Sequence, residues 1–294
     1  QDITSVFENT EFQVFKNTIE NGGVVNCVKF ENAADKYSRK GLDQLQDFVK
    51  HGFKAKALAY LKMENDVLTG SIAKVLSEKE KTKLVEKLGL ENNDLVLVIA
   101  DNARIAQASL GALRVRLGHE LNLIPTEETY KFLWVTDFPM FEYSEEDQRW
   151  VAAHHPFTAP KEEDVDKLFT DPGHVSSRAY DLVLNGYELL SGSIRIHSQD
   201  LQAKVFEAIG LSLEDAKARF GFFLDSFRYG TPPHGGVGIG LERLIMVLAG
   251  TDNIRDVVAF PTTNSSFDLM SEAPNVVDKK QLDILGIEIS KQEK

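Results

Sequence analysis

The chain has 294 residues, enough for two ordinary domains or one large one. Hydrophobic residues make up 43% and charged residues 27%, the balance of a soluble globular protein, and no apolar run approaches the length of a membrane span. A net charge of −12 argues against nonspecific coating of nucleic acid, though not against a local RNA contact. Cys27 is the single cysteine, which excludes an internal disulfide and points to a reducing compartment such as the cytoplasm. The opening QDITSVFENTEF lacks the basic and apolar regions of a signal peptide. It does not start with Met, so the chain is expected to be a piece of something longer.

Residues 23 to 101 read as one α/β unit. VVNCVKF is β-branched and strand-like. GLDQLQDFVKHG places Leu42, Leu45 and Val49 on one helical face and is expected to stop at Gly52. AKALAYLKM and VLTGSIAKVL flank the turn residues Asn65-Asp66 and read as a hairpin. Ser77-Glu78-Lys79-Glu80 fits a capping box, with Leu84, Val85 and Leu88 carrying the helix to Gly89. DLVLVIAD closes the unit as a buried strand. ARIAQASLGALRVRLGHEL follows as a helix with Ile105, Leu113, Leu117 and Leu121 near one face. A domain boundary is expected between about 101 and 125.

The second half begins with an apolar strand and an acidic loop in TEETYKFLWVTDFPMFEYSEEDQ. The run Glu162-Glu163-Asp164 reads as solvated surface. AYDLVLNGYEL and GSIRIHS read as strands. DLQAKVFEAIG reads as a short helix with Leu201, Val205 and Ile209 in register. Ser212-Leu213-Glu214-Asp215 caps another, with Ala216, Phe220, Phe223 and Phe227 along one stripe. A last helix is expected to turn Leu241, Leu244, Ile245 and Leu248 inward and to stop at Gly250.

GGVGIGLERL, just before that helix, resembles a phosphate loop but fits neither usual template. The third glycine of G-x-G-x-x-G is replaced by Leu241 or Arg243, and Gly240 is followed by Leu241 rather than the lysine of a P-loop. Such glycines also serve simply to let a strand pack closely on a helix. Arg243 sits near a helix start, where a cation opposes the dipole, so an anionic partner is expected beside it. Asp181 and Glu188 are carboxylates in apolar strand sequence, and Arg195 alternates with Ile194 and Ile196 on the face it shares with His197. Buried carboxylates need a partner, and a guanidinium fork matches both oxygens. Two readings stay open: an internal Asp–Arg pair, or a face that meets a ligand. Asp181 and Glu188 are an odd number apart, so a flat strand would separate them. A bulge at Asn185-Gly186 would bring both to one side, where a hard cation such as Mg2+ would relieve their repulsion. His154-His155-Pro156-Phe157 lacks metal-ligand spacing and reads as a substrate loop or a plain polar loop.

In order, DFPMFE, HHPFT, YDLVLNGYELLSGSIRIH, FGFFLDSFRYGTPPHGGVGIGLERL, GTDNIRDVVAFP and DLMSEAP closely resemble the C-terminal part of bacterial-type aspartyl-tRNA synthetases, with GIGLERL similar to motif 3 of the class II enzymes. The resemblance implies an α/β (α+β) fold. Residues 1–120 correspond to a GAD-like insertion domain, and 121–294 to the C-terminal portion of an antiparallel-sheet catalytic domain. It implies ATP-dependent activation of L-aspartate and transfer to tRNA(Asp), with tRNA(Asn) as a second candidate acceptor. It assigns Glu188 to Mg2+ and the ATP phosphates, Asp181 to the same metal, and Arg195 to the side-chain carboxylate of aspartate. His154 and His155 fall on the histidine loop, with His154 expected to make the contact. Gly240, Leu241, Glu242 and Arg243 fall on the ATP-contacting segment. Two departures are Leu190-Ser191-Gly192 where many relatives have three glycines, and Glu242 where many have Asp.

In that family the insertion lies between motifs 2 and 3, so motifs 1 and 2 and the anticodon-binding barrel are expected to precede this chain. Phe227-Arg228-Tyr229-Gly230 lacks the acid of a motif 2. The expectation is an enzyme whose 294-residue portion is inactive alone, from a homodimeric parent, with self-association of the piece. The competing class is a non-catalytic GAD-containing module that binds RNA or protein, in which the charged pocket residues should have drifted. An asparagine-charging relative is disfavoured by the GAD-like half.

Overall fold

The computed structural model describes residues 1–125 and 129–290. The chain divides into two compact units, Gln1–Glu128 and Thr129–Lys294.

In the first unit, α1 (Gln13–Glu20) precedes β1 (Val24–Phe30), α2 (Arg39–Phe53), β2 (Ala59–Glu64), β3 (Val67–Gly70), α3 (Glu78–Leu88), β4 (Leu95–Asp101) and α4 (Ala103–Glu120). The strands form one antiparallel sheet in the order β1-β4-β2-β3. The sheet is buried on both faces, which explains the unbroken apolar run of β4. Val96 and Val98 face a cluster with Phe7, Phe15, Leu61 and Leu84, while Leu95, Leu97 and Ile99 face Leu45, Val49, Leu113 and Leu117. The capping box forms as read: Ser77 Oγ accepts from the Glu80 amide at 3.3 Å, and Glu80 Oε2 accepts from the Ser77 amide at 2.7 Å.

Two local expectations are corrected. Gly52 does not stop α2, which runs to Phe53 and is closed by Lys54 in the left-handed region at φ 62°. The β3 strand covers only Val67–Gly70, because Gly70 at φ +124° turns the chain out of the ladder. The N-terminal α1 is held by Phe15, whose ring packs edge-on against Phe7 and Phe12, a tertiary cause.

In the second unit, β5 (Phe132–Thr136) is followed by the hairpin β6 (Phe141–Ser144) and β7 (Arg149–Ala152), built where an acidic loop was expected. Then come β8 (Ala179–Leu184), β9 (Tyr187–Ile194), α5 (Gln199–Ala208), α6 (Leu213–Ser226), β10 (Gly235–Ile239), α7 (Leu241–Leu248) and α8 (Lys279–Leu285). Its main sheet is antiparallel, in the order β10-β9-β8-β5. AYDLVLNGYEL is therefore not one strand. Asn185 and Gly186, at φ 50° and 87°, form the two-residue turn between β8 and β9. Asp164 is not solvated surface either: it is buried and accepts from the Ser176 amide at 2.9 Å and from Lys167 at 2.6 Å. The α6 helix breaks its regular geometry at Phe220.

The last helix departs most from expectation. Leu241, Ile245 and Leu248 are exposed, and Met246 is the buried residue of α7. These exposed side chains take no part in the small core of Met140, Phe141, Leu168, Ile196 and Val205. Among the described residues no helix is long and apolar enough to cross a membrane.

Candidate active site

The β8–β9 ladder decides which side chains share a face. Tyr180 pairs with Gly192, Asp181 with Ser191 and Leu182 with Leu190, but then Val183 pairs with Glu188. Leu189 is thus an extra residue, a bulge in β9. Directly opposed residues point the same way, so the bulge puts Glu188 on the face of Val183, Asp181 and Ser191. The bulge expected at Asn185-Gly186 therefore exists one strand later, and those two residues are the turn. Ser193 and Arg195 continue this face, and Gly236 and Gly238 of β10 lie opposite Ser193 and Ser191.

Those glycines can now be read individually. A Cβ at Gly236 would meet nothing within 4 Å, and at Gly238 only the Ser191 carbonyl at 4.0 Å, so both leave the face open. Gly192 does the opposite job: a Cβ there would lie 2.6 Å from the Tyr180 ring, so glycine is required by close approach on the far face. Gly240 is the N-cap of α7, and its amide donates to the Leu189 carbonyl at 2.9 Å, tying the bulge to the helix start.

At one end of the face lies a cavity of 320 Å³ lined by His154, His155, Thr158, Ala179, Ser191, Gly192, Ser193 and Arg195. Arg195 NH1 lies 3.0 Å from His155 Nδ1 and also within hydrogen-bond reach of Nε2. A guanidinium only donates, so the imidazole nitrogen facing it must accept. Burial and then the Arg195 charge hold the His155 pKa below the ordinary histidine value, which keeps the ring neutral. The buried Thr158 hydroxyl lies 3.4 Å from the Ser193 hydroxyl and 3.3 Å from His155 Nε2. Among the described residues Arg195 forms no ion pair, so its charge is available to the cavity and the internal Asp181–Arg195 pair is not formed. His154, the residue expected to make the contact, is exposed at the rim with its ring against Phe138, and His155 sits on the arginine. His197 is exposed where the chain leaves the sheet for α5.

At the other end, Arg243 NH1 donates to the Glu188 carbonyl at 2.7 Å and lies 3.6 Å from the Glu188 carboxylate. The anionic partner expected beside this helix start is thus Glu188. Both side chains are about half exposed, 45% and 52%, so the pair is weak on its own and open to a competing anion. Leu241 and Glu242 are exposed beside it. Asp181 Oδ1 is buried without a hydrogen-bond partner. No group of three or more His, Cys, Asp or Glu suited to a metal occurs among the described residues. Asp181 and Glu188 therefore fit a hard cation only as two of its oxygen ligands, with phosphate oxygens and water supplying the rest. The orphaned oxygen of Asp181 is the feature that such an ion would satisfy.

The family model described as tRNA synthetases class II (D, K and N) matches residues 2–264. The chain belongs to this family. It is 49% identical to the aspartate–tRNA ligase of Staphylococcus carnosus over 289 residues, which are 98% of this chain and 49% of that protein. It is equally similar, 49% over 293 residues, to the aspartate–tRNA(Asp/Asn) ligase of a Geobacillus species, covering 100% of this chain and 49% of the relative. The chain spans about half the length of the curated relatives it matches. Among solved structures, the aspartyl tRNA synthetase from Entamoeba histolytica is 27% identical over 65% of this chain and 32% of its own, with a TM-score of 0.37.

Three buried polar residues around the site escape a reading based on charge: Thr158, Ser193 and Gln202, all at most 2% exposed. Gln202 left a trace in the sequence, since it lies three residues before Val205 on the inward stripe of α5. Thr158 and Ser193 left none, because a lone hydroxyl in a strand or loop is ordinary surface chemistry.

Proposed function

We propose that this chain carries the motif-3 side of an aspartate–tRNA ligase. The first unit is the GAD-like insertion and the second the C-terminal part of the catalytic domain. The observation that carries the reading is one open sheet face with an unpaired guanidinium at one end and two carboxylates beside a displaceable arginine at the other. Arg195 anchors the side-chain carboxylate of L-aspartate by a two-pronged contact that the neutral His155 supports without competing for charge. His154 closes the rim. Asparagine lacks the negative charge that Arg195 needs, which sets specificity.

The reaction is adenylation. The α-carboxylate of aspartate attacks the α-phosphorus of ATP, the P–O bond to the β-phosphate breaks, and pyrophosphate leaves. The nucleophile is already an anion, so no general base is required, and positioning with charge neutralisation supplies the rate. Mg2+ held with the phosphates would neutralise their charge. Asp181 and Glu188 offer its protein oxygens, and Arg243 leaves Glu188 for the nucleotide while the segment Gly240 to Glu242 lies along it. Transfer to the terminal ribose of tRNA(Asp) follows, with tRNA(Asn) a second acceptor in keeping with the name of the Geobacillus relative. The parent protein is a cytoplasmic homodimer.

The test is aspartate-dependent ATP–pyrophosphate exchange together with ATP binding. The 294-residue chain should give only background exchange, because the α-phosphate still needs a cation, and turnover by this chain would overturn that division. Arg243→Ala should weaken Mg2+-ATP binding about tenfold, the loss of about 1.4 kcal/mol from one charge-assisted contact. Unchanged affinity would remove Arg243 from the nucleotide site. The apolar strand β5, with Phe132, Leu133 and Trp134 exposed, should make the chain self-associate, and a monomer by light scattering at high concentration would contradict this.

A further inference from the structure

The histidine loop is held from below by a side chain with no charge and no exposure. Gln202, on the inward face of α5, is 1% exposed. Its Nε2 donates to the Pro156 carbonyl at 2.7 Å, and because a carbonyl only accepts, this fixes which end of the amide points at the loop. Its Oε1 has no partner among the described residues. A buried amide satisfied at one end only is costly in a helix face that an aliphatic residue would fill, so the bond to Pro156 is what the position requires.

That bond acts at the centre of the turn. Pro156 restricts His155 before it to extended backbone. The ring of Phe157 after it packs on Phe220 and Phe223 at 5.2 and 4.8 Å. The Phe157 amide donates to His155 Nδ1 at 3.2 Å, so rotating this turn rotates the imidazole. His155 in turn is the side-chain contact of Arg195.

We propose that Gln202 is a positioning residue of this pocket: through the Pro156 carbonyl it sets the His155 ring against Arg195 and so aims the guanidinium into the cavity. The consequence for aspartate rests on the functional reading above, whereas the His155 geometry does not.

The test is NMR titration of the His155 imidazole in the 294-residue chain, assigned with His155→Gln, in the unaltered protein and in Gln202→Leu. The unaltered protein should titrate below an ordinary histidine, and the variant should move up towards one, because the ring is no longer held beside the guanidinium. A folded variant with unchanged His155 titration overturns the proposal. Gln202→Met serves where the leucine variant fails to fold. In the unaltered protein the Gln202 side-chain amide protons should exchange slowly with water, and rapid exchange overturns the proposal without any variant. L-aspartate affinity should fall on the order of tenfold in the same variant, the size of one lost positioning contact. If the unaltered protein binds no aspartate, the functional reading fails while the His155 titration still decides the role of Gln202.

Discussion

The two units use an antiparallel sheet of four strands in opposite ways. In the first, Leu95 to Ile99 of the central strand are each at most 1% exposed, and helices cover both faces. In the second, every residue of β10 and four of the five in β5 are exposed. Of the 31 large hydrophobic side chains exposed among the described residues, 25 belong to the second unit, and six of these lie on β5, β9 and β10, so these strands present an open surface. Charge divides the same way. The first unit has 17 Lys and Arg against 19 Asp and Glu, the second 16 against 26, so nearly all the net negative charge sits with the proposed chemistry. The first unit's sheet is spent on its core, whereas the second unit's presents open glycines on one face and charged groups at its two ends.

This contrast can be broken most directly at the closed sheet. Leu97→Ala should cost about 2–5 kcal/mol, the range for a fully buried leucine in a well-packed site, read as a shift of the denaturant midpoint. A small effect would mean that the first unit is looser than its burial implies. Ser77→Ala, which removes one half of the capping box on α3, should cost about 1 kcal/mol by the same measurement.

In the second unit the contrast sharpens through pH. His155 has a folded pKa below its unfolded value, so above about pH 6.5 neither state is protonated there and it leaves stability unchanged. As pH falls through about 6.5 the unfolded chain takes the proton first, and stability declines until the folded pKa is passed. The thermal midpoint should therefore fall from about pH 7.5 to 5.5, and fall less in His155→Asn; equal slopes would remove His155 as the source. The smallest effect belongs to the open surface. Phe222 is 84% exposed, and Phe222→Ser should move stability by no more than about 0.5 kcal/mol.

Much of the closed sheet was legible in the sequence because burial leaves a periodic mark. Leu42, Leu45 and Val49, the capping box at Ser77 and the apolar run of β4 each mapped to a local rule. The open sheet was harder to read for the same reason. Leu241, Leu244, Ile245 and Leu248 have inward spacing, yet α7 turns most of that stripe outward, because periodicity reports that a face is apolar and not what covers it. The charged residues of the site were visible as carboxylates and arginines in apolar strands. Their common face was anticipated through a bulge, but at Asn185-Gly186; the extra residue is Leu189, whose place in the ladder is set by pairing and not by type.

The central claim is that Arg195 reads a carboxylate. Calorimetric titration of L-aspartate and L-asparagine into the 294-residue chain tests it, with Arg195→Met as the control. Saturable aspartate binding, at least about tenfold weaker binding of asparagine, and loss of that difference in the variant are the expected result. Equal binding of the two amino acids, or a preference for aspartate that survives without the guanidinium, would contradict it.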